Sequence, residues 1–436
     1  MTTPMTANRY SWLDYLRGIA AIWMIEVHVT DIALASNWHS AWWYPWLNLS
    51  HGFVAVAFLF CAGGAFALTL ERKVAAYRQL ARPLWEYLGK LALLLVIGYW
   101  LHLPAFSLER TLQASAEELR RLADCDILQT IAYSSLAALG IGMLIHSERW
   151  RFGIYAALSV VFAVLTPWIW QTQLYEQLPL FLGALIAPPP QSKFPLFPFA
   201  AYFFAGAWIV PLLRNLTTTA LSSIGIACLL TAGGTMTIGL ASPASWWYSS
   251  PLHVLFRLSG TVCTLVVLIL AEPVMQRFRW RKILLIAGQQ SLWIYVFHLL
   301  IVYGSVGGKG LATMVDNQLS YPGAFLVFIG VGAVSLASAW GWSVLKDIMP
   351  QVVRTTVAAA VGIGILTFLF LPTRYAELLT TVESVQHAGE RPGVERSDLP
   401  RLAALLVQDL VATESSLDRE MCAAYSPTMD LHKFLP

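Results

Sequence analysis

The chain has 436 residues, 57% of them hydrophobic and only 12% charged, with a formal net charge of +3. Ordinary soluble chains carry about 25% charged residues, so a soluble globular enzyme is excluded, and so weak and dispersed a positive charge argues against a nucleic-acid partner. The five cysteines (Cys61, Cys125, Cys228, Cys263 and Cys422) show no C-x-x-C spacing; they are expected to pack in the core rather than to form a disulfide or zinc framework.

Eleven apolar stretches are long enough to cross a bilayer: 11–36, 51–70, 84–103, 125–146, 149–170, 197–213, 218–240, 252–273, 283–305, 322–345 and 352–371. The fold class is therefore all-α, a polytopic membrane protein of about eleven transmembrane helices. The expected division is a membrane domain over 1–372 and a polar tail over 373–436, partly amphipathic and helical at Leu399–Leu417. No cleavable signal peptide is expected, because the first stretch is too long and lacks a small-residue cleavage site.

The first stretch, Ser11–Ser36, carries Asp14, Arg17, Glu26, His28 and Asp31. Ionisable groups at membrane depth are costly, so they usually face a protein interior or a watery cavity. Arg17 and His28 are eleven residues apart. That spacing is about three helical turns, which places both on one face with about 16 Å between them. Asp14 and Arg17 also have the spacing of an internal i,i+3 ion pair. The following loop, Trp38–Ser50, is dense in tryptophan, as an interfacial anchor would be, and contains His39.

His51 opens the second stretch, and Lys90 lies in the third, where its long stem allows it to snorkel. Ser107–Asp124 is charged with helical spacing and is expected on the outer surface of the membrane. The fourth stretch opens with Asp124, Asp126 and Gln129; Asp126 also suits a helix N-cap. The eighth carries His253 and Arg257 four residues apart, on one helix face. The ninth, expected as one span, carries Gln289, Gln290 and His298.

With a cytoplasmic N-terminus, thirteen Lys and Arg fall in inside loops (Arg72 and Lys282 among them) and five in outside loops. The positive-inside rule favours that orientation, and an odd span count then puts the tail outside. Polar groups from five spans thereby collect toward the outer half of the bilayer. Imidazole suits general-base work because its ordinary pKa is about 6.5. Asp31 or Glu26 would orient His28. No H-x-x-x-H or H-E-x-x-H pattern points to a metal, and neither G-x-G-x-x-G nor G-x-S-x-G occurs.

The run Leu13-Asp14-Tyr15-Leu16-Arg17-Gly18, followed by His28-Val29-Thr30-Asp31, resembles the opening of the transmembrane acyltransferases. These comprise the acyltransferase type 3 family and the heparan-α-glucosaminide N-acetyltransferase-like family. Four later runs strengthen the likeness, in order: His51 with Phe58-Leu59-Phe60-Cys61-Ala62-Gly63, Asp126 to Ala132, Phe194 to Gly206, and Gly288 to His298. The middle runs are most similar to the heparan-α-glucosaminide N-acetyltransferase-like family. The tail after 373 has no counterpart in either.

The resemblance implies transfer of an acyl group, by default acetyl, from a cytoplasmic acyl-CoA to an acceptor at the outer face. The acceptor would be a hydroxyl or amine of a sugar or glycan-type molecule. Arg17, with Asp14 and Lys90, would bind the donor, a guanidinium being suited to phosphate. His28 would act as general base or carry the acyl group, oriented by Asp31 or Glu26, with His51 and His39 as the other candidate histidines. Gln129, Asp126, Arg257, His298 and His39 would bind the acceptor or stabilise the oxyanion. Expected partners are membrane lipids, acyl-CoA and the acceptor, with a homo-dimer open and no metal. The expected location is a bacterial inner membrane. The alternative is a proton-coupled carrier or flippase of a small polar or lipid-linked solute, using the same groups as a relay.

Overall fold

The computed structural model describes residues 10–242, 246–305 and 308–373. Its helices are α1 (Ser11–Ala33), α2 (Tyr44–Arg78), α3 (Arg82–Leu101), α4 (Leu108–Leu112), α5 (Ala116–Ala123), α6 (Ile127–Leu144), α7 (Glu148–Gln171), α8 (Leu180–Ala184) and α9 (Leu196–Leu213). There follow α10 (Thr218–Leu240), α11 (Trp246–Ser249), α12 (Pro251–Met275), α13 (Arg281–Gln289), α14 (Ser291–Tyr303), α15 (Leu311–Val315), α16 (Tyr321–Ile348) and α17 (Pro350–Phe370). A two-stranded ribbon, β1 (Gly304–Ser305) with β2 (Gly308–Lys309), follows α14.

The chain is an all-α polytopic membrane protein. Among the described residues nine helices are long and apolar enough to cross a bilayer, or ten if α13 and α14 form one broken span. Helix α1 has the length, at 23 residues, but carries Asp14, Arg17, Glu26 and Asp31 within it. Each of the eleven expected stretches is thus helical.

Three local expectations change. The ninth stretch is not one straight span, because α13 and α14 meet at 85°. The break falls at Gln290, whose backbone (φ −109°, ψ 24°) has left the helix. At about 1.5 Å per residue, neither half reaches the about 30 Å of a hydrocarbon core. The second stretch begins at Tyr44 rather than His51, with a proline in its first turn. His51 therefore sits two turns inside α2. The tryptophan segment is accordingly no loop but a 3-10 turn, Ser36–Ser40, leading into α2. Trp42 there is 82% exposed, as an interfacial anchor is. Of the tail only Thr373 is described, so Leu399–Leu417 lies outside the described residues.

The described residues form two compact units. The first comprises 10–24, 43–99, 123–242 and 246–294; the second comprises 25–42, 100–122, 295–305 and 308–373.

In the first unit α2 packs on α9, α7 on α9, and α10 on α12. Lipid offers no hydrophobic drive for helices to pair, so contact rests on close backbone approach at small residues. The α2–α9 crossing is built that way, and reciprocally. A Cβ on Gly63 would run into the Phe203 carbonyl, and one on Gly206 into the Phe60 carbonyl. The same device joins α1 to α13, where Gly18 faces the Leu284 carbonyl and Gly288 faces the Asp14 carbonyl. Around these crossings lies a core that includes Tyr15, Leu16, Phe60, Cys61, Ala205 and Leu265. The glycine of the Leu13–Gly18 run thus has a packing reason: it lets the Arg17 turn press against α13.

In the second unit the last turn of α1 is held by backbone bonds. Asn317 N donates to Ile32 O (2.9 Å), Leu319 N to Ala33 O (2.8 Å), and Ala35 N to Leu319 O (3.0 Å). The charged Ser107–Asp124 segment forms α4 and α5, as its spacing predicts. Ser107 Oγ donates to Leu371 O (2.6 Å) and Thr373 N to Glu109 (2.8 Å), tying α4 to the end of α17. Partial burial pushes the Glu118 carboxyl up, but the Ser115 amide and the Arg110 guanidinium outweigh this and hold it below its ordinary value.

Candidate active site

In the second unit α1 and α14 bring two histidines and a tyrosine together. His28 Nδ1 and the Tyr303 hydroxyl are 3.0 Å apart. The His28 and His298 rings are 5.3 Å apart, and His298 is fully buried. Tyr295 packs on His298 at 6.1 Å. His28 itself is only partly buried, so it combines a held ring with access. Tyr303 (3% exposed) is a site group that sequence reasoning missed. Its only signal was a tyrosine at the end of an apolar stretch, which reads equally well as an interfacial anchor.

The carboxylates near His28 are differently placed. Glu26 accepts a hydrogen bond from Thr30 Oγ1 (2.8 Å) one turn along α1. Asp31 is exposed. The Tyr303 phenol stands on the His28 Nδ1 side. His39 is exposed in the 3-10 turn.

In the first unit Arg17 lies 3.9 Å from the buried Asp14 carboxylate, the i,i+3 pair its spacing allows. Its Nη2 also points at the Cys61 carbonyl, at 3.5 Å. With 21% of its side chain exposed, Arg17 is half-sheltered. Lys90 is exposed on α3.

Asp126 caps α6, accepting from the Ile127 amide at 2.6 Å, which is the structural role its position permits. Three residues on, Gln129 is fully buried; its amide reaches the Asp124 carbonyl at 3.5 Å, and its Oε1 has no hydrogen-bond partner among the described residues. Gly98 makes room for it, since a Cβ there would stand 2.6 Å from Gln129 Oε1. Asp124 Oδ1 accepts from the Lys193 amide (2.9 Å), and Phe194 N donates to Cys125 O (2.8 Å), so the 192–194 segment braces the start of α6.

Arg257, on the first turns of α12, donates from Nε to His253 Nε2 (2.9 Å) and from Nη1 to the Leu49 carbonyl (2.8 Å). The face shared by His253 and Arg257 is real. Gly52 on α2 leaves the space for the guanidinium. His51, the neighbour of Gly52, is partly buried.

The family described as the acyltransferase domain, acyltransferase 3, matches residues 10–344. The match runs from the start of α1 into α16 and leaves α17 beyond it. Among curated proteins nothing matches the chain.

Proposed function

Because the chain belongs to the acyltransferase 3 family it is a membrane acyltransferase, and we propose that it moves an acetyl group from acetyl-CoA, or another acyl-CoA, to a hydroxyl or amine of a sugar or glycan-type acceptor. The observation that carries the catalytic assignment is the 3.0 Å contact between His28 Nδ1 and Tyr303. With the Nδ1 proton donated to the phenol oxygen, Nε2 is the basic nitrogen of the ring. His28 Nε2 takes the proton from the acceptor hydroxyl or amine as that atom attacks the thioester carbonyl. The tetrahedral oxyanion forms, with buried His298 as its nearest candidate stabiliser. The carbon–sulfur bond then breaks, and the leaving thiolate takes back the proton from imidazolium.

Arg17 binds the donor's phosphates, and Asp14 holds its guanidinium in place. Arg17 and His28 belong to one uninterrupted helix, α1. The spacing of about 16 Å along such a helix suits a long, thin pantetheine arm. Gln129 and Arg257 serve the acceptor. The excess of basic residues in alternate loops supports a cytoplasmic N-terminus and an acceptor outside; the membrane proposed is a bacterial inner membrane.

The test is transfer of labelled acetyl from acetyl-CoA to membrane glycans by the wild type and Tyr303→Phe. The wild type should transfer label. Removing one orienting hydrogen bond, worth about 1 kcal/mol, should lower kcat about fivefold and leave the KM for the donor unchanged. Wild-type protein that transfers nothing, or a Tyr303→Phe variant indistinguishable from it, contradicts the assignment.

A further inference from the structure

Around Arg257 the first unit builds an aromatic cluster with an unbalanced positive charge. The guanidinium lies over the Phe53 ring at 5.0 Å and the Phe256 ring at 5.9 Å. Trp246 and Trp247 pack on each other at 4.8 Å and on His253 at 5.5 and 5.7 Å. His253 and Phe256 stack at 6.2 Å. Two phenyl rings and an imidazole therefore lie against one guanidinium, and two tryptophans pack on that imidazole.

The charge of this cluster is not balanced among the described residues. An arginine is always protonated and only donates. Since its Nε donates to His253 Nε2, that imidazole nitrogen carries no proton, and the histidine supplies no negative charge. The other hydrogen-bond partner is a neutral carbonyl, Leu49 O. Among the described residues no carboxylate pairs with Arg257, and Nη2 has no acceptor. A second donor in the same cluster is also unmet: Trp246, only 8% exposed, has its indole Nε1 buried without a hydrogen-bond partner among the described residues. A cation at membrane depth is costly and marks function by default. Arg257 is nonetheless only partly buried as a residue.

We infer that this cluster binds an oxyanion of the acceptor, a phosphate or a carboxylate attached to a sugar ring. The guanidinium meets the oxyanion with paired donors, the indole Nε1 of Trp246 adds a third, and the partly buried Trp247 ring packs on the sugar. The inference rests on the acyl-transfer reading and specifies its acceptor class: an acidic glycan or a lipid-linked sugar phosphate rather than a neutral sugar.

Purified full-length protein in detergent tests it. Thermal stabilisation is titrated with glucose 1-phosphate, glucuronate and glucose, for wild type and Arg257→Gln, and retention of labelled acetyl-CoA is measured on the same samples. The wild type should bind at least one acidic sugar at least about tenfold more tightly than glucose, and Arg257→Gln should lose that preference. Which acidic sugar wins separates a phosphate from a carboxylate source. Should Arg257→Gln fail to fold, Gly52→Ala replaces it: its methyl displaces the guanidinium without removing the charge, and the same loss is expected. Equal binding of glucose, or a preference that survives both variants, overturns the inference. Acetyl-CoA retained in those samples shows that only the acceptor class was wrong, whereas wild type that retains none refutes the donor reading instead.

Discussion

His28→Ala is expected to lower acyl transfer by about 10²- to 10⁴-fold, the range removed with a positioned general base. The fold should survive. The side chain is partly buried, and losing its hydrogen bond to Tyr303 costs about 1 kcal/mol of stability. His28→Gln sharpens the result, because its amide can still bond the phenol but cannot act as a base near neutral pH. Both variants should be equally inactive with unchanged donor binding. An active His28→Gln would shift the role to His51 or His39, whose alanine variants would then be the inactive ones.

Gly63→Leu is expected to abolish accumulation of folded protein. At that crossing the neighbour is the Phe203 backbone, which has no rotamer by which to yield, and Gly206 meets the Phe60 backbone from the other helix. Overpacking usually costs about 1–3 kcal/mol; wedging two backbones apart along the α2–α9 contact lies at or above the top of that range. Gly140→Leu is the control, because a Cβ on Gly140 meets nothing within 4 Å. Monodisperse protein after detergent extraction should be lost for Gly63→Leu and kept for Gly140→Leu. Equal yields would show that close approach at Gly63 is not what holds the two helices.

What the sequence revealed, and what it hid, follows from how far each signal reaches along the chain. Long apolar runs are local and additive, so every expected stretch is helical. Asp126 capping α6 and Asp14 beside Arg17 are contacts within four residues, and both were legible. The break at Gln290 was not, because Gly288-Gln289-Gln290-Ser291 sits in a run apolar enough to pass as one span. Irregular backbone at membrane depth persists only where protein or a cavity satisfies it, and a sequence does not display that shelter. The start of α2 was placed late because the tryptophans and Pro45 read as loop, though a proline in the first turn is also a helix start. Tyr303 was missed for a related reason. Its partner, His28, is 275 residues away, and nothing local distinguishes a phenol that anchors a membrane edge from one that holds a catalytic ring.

Donor binding tests the central claim most directly. Purified protein is stabilised against heat by any ligand that prefers the folded state, by about 2.7 kcal/mol at a hundredfold excess over Kd. Acetyl-CoA, CoA and ATP are compared on wild type and on Arg17→Ala, which removes the guanidinium beside Asp14. An acyl-CoA-dependent enzyme whose Arg17 holds the donor predicts stabilisation by acetyl-CoA and CoA but not ATP, lost in Arg17→Ala. Wild-type protein unmoved by millimolar acetyl-CoA would contradict it.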